Sequence, residues 1–279
     1  MKPNEPSRTA LIPARQRAAH QVLDHGSILY DPLAMKILRE EEKDVLQFAN
    51  AHPLASIGRL FTAARSRIAE DALSRAVERG VRQIVILGAG LDTFALRNPL
   101  GAKQIPIYEV DHPATQAWKR QRLAEAQLPL PPWLIFAPVD FERDDLGEKL
   151  AASGFQPNSP AFFTWLGVVP YLTEDAIGST LDYIASIPDA EVVFDYMEPP
   201  EAFSEEMREF VTKRTEQVAK MNERWASRFE PAGMATILHS HGFSDIDDID
   251  FQAIKSSFAH AVQGLASGQA GLHVVRARR

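Results

Sequence analysis

Six residues have types and spacing that could hold a ligand: Gly88 and Gly90, Asp111, Asp140 with Phe141, and Arg65. The run Gln83-Ile-Val-Ile-Leu87 reads as a buried strand that stops at Gly88-Ala-Gly90, and glycines let a backbone approach a ligand closely. A second apolar run, Ile105–Val110, leads into Asp111, twenty-one residues after Gly90, where a carboxylate can accept hydrogen bonds from both hydroxyls of a ribose. Asp140 ends a third run and can accept from the exocyclic amino group of an adenine, with Phe141 as an apolar wall; the competing reading of Asp140 is a turn residue or helix cap. A dinucleotide turn wants a third glycine three residues after the second, and here that position is Thr93. The substitution moves the reading from NAD towards S-adenosylmethionine, which needs no diphosphate cradle. Arg65 shares a helical stripe with Phe61, Ala69, Ala72 and Ala76 and therefore needs an anionic partner, because an unpaired buried charge is costly. The carboxylate of S-adenosylmethionine fits that role, and a structural salt bridge is the alternative.

The elements that must position these residues follow from periodicity. Residues 1–80 read as helical, with Leu33–Leu38 after the Asp31-Pro32 turn and a long helix from about Ser56 to Arg79, stopped by Gly80. Strands are expected at Gln83–Leu87, Ile105–Val110, Leu134–Val139, Ala161–Leu166 and Glu191–Tyr196, continuous apolar runs suited to parallel strands covered on both faces. Helices are expected between them at Pro113–Ala126, Asp145–Ser153 and Glu174–Ser186, the last capped by Thr173. Residues 199–231 break the alternation with a charged helix from Ser204 to about Phe229, read as a lid insertion. A helix at Met234–His241 and strands at Phe243–Ile249 and Gly271–Ala277 follow. The expected architecture is one α/β domain over 1–279: a doubly wound, mostly parallel, seven-stranded Rossmann-like sheet. It comprises a helical cap (1–80), a cofactor-binding core (81–198), a helical lid (199–231) and a final helix with a strand pair (232–279).

The chain resembles the bacterial branch of the leucine carboxyl methyltransferase family, which includes polyketide carboxyl methyltransferases similar to the tetracenomycin enzyme. The residues that carry the resemblance are Ser7-Arg-Thr-Ala10, Arg17-Ala-Ala-His-Gln21, Asp31-Pro-Leu-Ala34, Ala64-Arg-Ser-Arg67 and Val85 through Thr93. They continue with Glu109-Val-Asp-His-Pro113, Pro138-Val-Asp-Phe-Glu142, Gly154-Phe-Gln-Pro157, Trp165 with Tyr171-Leu-Thr173, and Val193-Phe-Asp-Tyr196. The resemblance implies an S-adenosylmethionine-dependent O-methyltransferase. Gly88 and Gly90 would line the methionine side, Asp111 take the ribose, Asp140 and Phe141 the adenine, and Arg65 the methionine carboxylate. It also places the helical N-terminus and 199–231 as the roof of an acceptor pocket. One position departs: members usually carry Trp-Glu-Gly-Val where this chain has Trp165-Leu166-Gly167-Val168. Either Asp92 or a backbone carbonyl substitutes for that acid, or cofactor affinity is weakened. A degenerate, non-catalytic binding protein and a nicotinamide oxidoreductase are the alternatives carried forward.

The expected reaction transfers a methyl group to a carboxylate or hydroxyl of a small molecule, as on a secondary metabolite. An ionised carboxylate acceptor needs no general base, whereas a phenol or alcohol would. His20, in the segment expected to face the pocket, His112 and His239 are candidates for that base, though a structural role is the default for the first two, and no catalytic residue is assigned. Tyr171 and Tyr196 could position an acceptor, with packing as the default. His239 and His241 are two apart on a helix and do not share a face, so no metal is expected. Neither a Gly-x-Ser-x-Gly turn nor a Gly-x-x-x-x-Gly-Lys-Ser/Thr loop occurs. The net charge of −7 disfavours a nucleic-acid partner, and the absence of cysteine fits a cytoplasmic protein. No run of 18 apolar residues suggests a membrane span. The acceptor's identity and the oligomeric state are left open.

Overall fold

The computed structural model describes residues 6–98, 100, 105–221 and 223–279. Its centre is a seven-stranded sheet in the order β3-β2-β1-β4-β5-β7-β6. The strands are β1 (Ile84–Leu87), β2 (Ile107–Asp111), β3 (Leu134–Pro138), β4 (Phe162–Trp165), β5 (Glu191–Met197), β6 (Asp245–Asp250) and β7 (Leu272–Arg278). All run parallel except β7, which pairs antiparallel with β5 and β6. The doubly wound, mostly parallel expectation therefore holds, and all seven anticipated strands are present. β1 to β5 are apolar because both faces are covered. One face packs on the long helix α4 (Ala55–Glu78), the other on α7 (Leu146–Ala152), α8 (Glu174–Ser186) and α10 (Pro231–Ser240). β6 lies at the edge, and its exposed aspartates 245, 247, 248 and 250 blunt an edge that could otherwise pair with another chain.

Strand order reverses between β1 and β4, and at such a switch point the loops leaving the carboxyl ends part to form a crevice. Register aligns the tips: Leu87 pairs with Val110, and Asp111 with Pro138. The residues that follow each strand, Gly88, Asp111 and Asp140 among them, thus emerge along one rim.

The cap is helical as expected, with α1 (Leu11–Leu23), α2 (Ala34–Leu38) and α3 (Glu42–Ala49) around a small core of Ala14, Ala18, Ile37, Leu38 and Val45. Short α5 (Phe94–Arg97) follows the glycine turn, and α6 (Pro113–Glu125) follows β2. Helix α9 (Glu205–Lys220) corrects the sequence reading, which ran it on to about Phe229. Helical propensity in this charged stretch loses to tertiary bonds: Ala226 N–H donates to Pro170 O at 2.7 Å and Phe229 N–H to Met197 O at 3.0 Å. Residues 223–230 become an extended strap across the sheet's rim. Helix α11 (Phe251–Phe258), absent from the sequence reading, buries Phe251 and Ile254 between β6 and α4.

Candidate functional site

The glycine turn after β1 is shaped by two positive φ angles, +66° at Gly88 and +45° at Gly90. A Cβ on Gly88 would collide with Val168 Cγ2, so the turn after β1 and the turn after β4 are in contact. Asp111 fixes the first turn to β2: its Oδ2 accepts from Gly90 N–H at 2.6 Å and its Oδ1 from His112 N–H at 2.7 Å. Burial pushes the Asp111 carboxyl above its usual range, opposed by those two amides. Asp140 accepts from Glu142 N–H at 3.1 Å within its own turn and stands 3.8 Å from His112 Nε2. It is half-buried, as are Phe141 and Asp111, and all three face one cavity.

Thr93, where a dinucleotide site would have glycine, anchors the cap. Its hydroxyl donates to Asp31 Oδ2 at 2.7 Å, and Asp31 also faces Arg17 at 3.4 Å and Arg97 at 3.5 Å. Arg17 in turn donates to Leu91 O at 2.7 Å, which ties α1 to the glycine turn. In the sequence Asp31 reads only as part of a turn and Arg17 only as part of a motif; the bonds that join them to the glycine turn are long-range and leave no local signal.

Arg65 projects from α4 over the turn after β4. Its Nη1 donates to Asp195 Oδ2 at 2.8 Å, and Asp195 Oδ1 accepts from Gly167 N–H at 2.6 Å. The anionic partner inferred for Arg65 is therefore present in the protein itself, so the salt-bridge reading is met. The guanidinium still lines the cavity, and its buried Nε has no partner among the described residues. Asp195 is a site residue that sequence reasoning missed, although an acid within the apolar run Val192–Met197 marked it. Burial pushes its carboxyl up, and Arg65 and Gly167 N–H oppose that. Leu166 is half-buried against the core and lines the cavity. Asp195 and Asp92 are among the carboxylates that line the same cavity. Burial opposes ionisation of Asp92, but Arg17, Lys119 and the Phe94 amide outweigh it and hold the carboxyl below its usual range.

Two residues before Asp111, Glu109 on β2 pairs with Lys119 of α6 at 2.6 Å, both fully buried. Desolvation dominates, and the Glu109 carboxyl is pushed up to about 7 despite the ammonium.

The cavity has a volume of about 770 Å³, towards the upper end of ligand sites, which span roughly 300–1,000 Å³. Its floor is the rim just described. Its far walls are α4, α9, the strap and the N-terminal segment, contributing Leu54, Ile57, Phe61, Met207, Phe210 and Trp225 among others. The strap closes onto the N-terminal segment, where Glu223 accepts from Ser7 Oγ at 3.0 Å and Thr9 Oγ1 at 2.5 Å.

Four of the histidines and tyrosines singled out in the sequence lie elsewhere. His20, expected to face the pocket, is fully buried away from it. Its Nδ1 bonds Asp24 at 2.9 Å and its Nε2 accepts from Ile28 and Leu29 N–H, so it folds the loop after α1. Tyr196 donates to Asp248 Oδ2 at 2.7 Å and stacks on His273, outside the cavity. His239 bonds Phe243 O and His241 pairs with Asp182. His112 does line the cavity, with Nδ1 accepting from Ala114 N–H as the cap of α6. Tyr171 lines it too, edge-on to Trp225, and burial raises its phenol's pKa.

Comparison with known proteins agrees with this geometry. The sequence profile of leucine carboxyl methyltransferase matches residues 10–185, more than half of the chain. A Bacillus subtilis protein named "Putative S-adenosyl-L-methionine-dependent methyltransferase YktD" is 30% identical over 292 aligned positions, covering 93% of this chain and 96% of the relative. A relative of the same description from Mycobacterium sp. (strain KMS) is 32% identical and covers 71% of each chain. In fold, a DUF574 family protein from Streptomyces avermitilis superposes with a TM-score of 0.57 at 14% identity, covering 95% of this chain and 96% of that one. The nicotinamide alternative falls with these relationships. The chain is an S-adenosylmethionine-dependent methyltransferase and belongs to the leucine carboxyl methyltransferase family.

Proposed function

We propose that the enzyme methylates an oxygen, carboxylate or hydroxyl, of a small organic acceptor such as a secondary metabolite. The observation that carries this reading is the continuity of one cavity, from the carboxylate-lined rim to an apolar chamber under α9 and the strap.

The rim suits the cofactor on three counts. Gly88 and Gly90 line the cavity without side chains, Asp111 and Asp140 face it, and the Arg65 Nε lacks a partner among the described residues. Gly88 and Gly90 would lie along the methionine portion, Asp111 accept from the ribose hydroxyls, and Asp140 with Phe141 receive the adenine. Arg65, held by Asp195, would pair with the methionine carboxylate, and Asp92 or Asp195 would face the ammonium in the role of the acid missing at Leu166. When bound, S-adenosylmethionine supplies an electrophilic methyl group on a sulfonium. The chain's own contribution is to hold the acceptor oxygen in line with that group and to exclude water, through the apolar walls and the Glu223 closure. A carboxylate acceptor arrives ionised, so no residue need take its proton. For a hydroxyl acceptor, His112 and Tyr171 are the titratable groups at hand.

The test is an acceptor screen of carboxylates, phenols, alcohols, amines and thiols that reads S-adenosylhomocysteine release. Turnover confined to oxygen acceptors is expected; turnover of amines or thiols alone would overturn the reading.

A further inference from the structure

The apolar chamber contains one charge out of place. Met207, Phe210, Val211 and Arg214 all line the cavity from α9, at the three- and four-residue spacing that sets side chains on one face. Arg214 thus occupies a position where the period calls for an apolar residue. Its guanidinium carbon lies 5.6 Å from the Phe48 ring centre and 5.9 Å from that of Phe210, and Nη1 donates to Gln217 Oε1 at 3.2 Å. No carboxylate among the described residues is within ion-pair distance of it. Of the other arginines that line the cavity, Arg17, Arg65 and Arg143 face Asp31, Asp195 and Asp140, and Arg224 lies exposed on the strap. The acid on the same wall, Glu223, is engaged by Ser7 and Thr9.

A guanidinium has five N–H donors, and two aromatic faces with one amide oxygen leave most of them unused. Burial lowers the Arg214 pKa, with the Tyr171 phenol opposing the shift, so the cation is already partly stripped of water. A site built this way gains most from an anion that arrives with the ligand, because the cation's desolvation has been met in advance.

Resting on the methyl-acceptor reading of the chamber, we propose that Arg214 anchors a carboxylate of the acceptor, a group distinct from the oxygen that is methylated. The distinction is chemical: an oxygen clamped by a guanidinium has its lone pairs engaged and is a poorer nucleophile. The acceptor is therefore an amphipathic anion, with its apolar body against Ile57, Phe61, Met207 and Phe210 and its charge under α9.

The test uses the full chain and four probes: 2-naphthoate, decanoate and their neutral amides. Each is titrated with and without S-adenosylhomocysteine into the wild type, Arg214→Met and Arg214→Lys. The expected result is that at least one anion binds about tenfold or more tightly than its amide to the wild type, as a charge-assisted pair implies. That preference should vanish in Arg214→Met and return in part in Arg214→Lys. The proposal is overturned if neither anion is preferred over its amide, or if the preference survives in Arg214→Met. Formation of methyl 2-naphthoate or methyl decanoate from S-adenosylmethionine would overturn the separation of anchoring and reacting oxygens. Failure of S-adenosylhomocysteine to bind the wild type would count against the methyltransferase site, and the titrations without it would still decide Arg214.

Discussion

The contact between Gly88 and Val168 gives a quantitative test of how the two turns form the rim. In Gly88→Ala, the new Cβ would sit closer than 3.0 Å to Val168 Cγ2, a separation that real Cβ atoms essentially never show. Two costs add. A non-glycine residue in the left-handed region costs about 1–2 kcal/mol, and forcing extra volume into a packed contact costs about 1–3 kcal/mol, for a total of about 2–5 kcal/mol. Val168→Ala deletes the colliding methyl, so the double variant should recover the steric share and leave the backbone share. The two substitutions should therefore couple favourably by about 1–3 kcal/mol. Gly242→Ala, where φ is +87° and nothing lies within 4 Å of the added Cβ, measures the backbone share by itself. Equilibrium urea unfolding of the five proteins gives the energies, and S-adenosylhomocysteine titration reports the rim, with affinity lost in Gly88→Ala and partly restored in the double variant. Strict additivity of Gly88→Ala and Val168→Ala, within about 0.5 kcal/mol, would refute the contact.

Two further outcomes follow from buried charge. Burial alone would lower the His273 pKa, but hydrogen bonds to Asp248 at 2.8 Å and Glu198 at 3.0 Å outweigh it and raise the value above 6.5. A raised histidine stabilises the fold fully below its unfolded pKa and loses that contribution as pH rises through the folded one. Thermal stability should accordingly fall above neutrality in the wild type more than in His273→Gln, and parallel curves would argue against the pairing. Lys119→Met leaves Glu109 buried without its partner and should cost about 3–5 kcal/mol. The loss should grow as pH rises through about 7, where Glu109 of the wild type ionises; a pH-independent loss in urea unfolding would contradict the pair's role.

Much of the site was readable before the fold was known because its parts are local. A strand that stops at Gly88 and a carboxylate at the tip of the next strand are set by short-range period and turn chemistry. What stayed hidden depends on pairings between distant segments. The partner of Arg65 lies 130 residues away on β5, and nothing in the helical stripe around Arg65 could say whether its anion came from the protein or from a ligand. His20 shares its motif with Arg17, yet on α1 the arginine turns to Leu91 O and the histidine to Asp24. The strap was read as helix because its local composition is helical, and the bonds to Pro170 and Met197 that override this are long-range.

The closure of Glu223 onto Ser7 also bears on how the cavity opens. It joins residues 216 apart in the chain through the hydroxyls of Ser7 and Thr9 and one carboxylate, against the entropy of closing a very long loop. The floor, by contrast, is knitted into the central strands. The Glu223 seam therefore opens more readily than the sheet, by local opening below the free energy of global unfolding, while Ala226 and Phe229 keep the far end of the strap on Pro170 and Met197. Amide exchange should rank the two accordingly, faster at Thr9 and Glu223 than in β1 and β4, so that an acceptor can enter at this seam with the sheet intact.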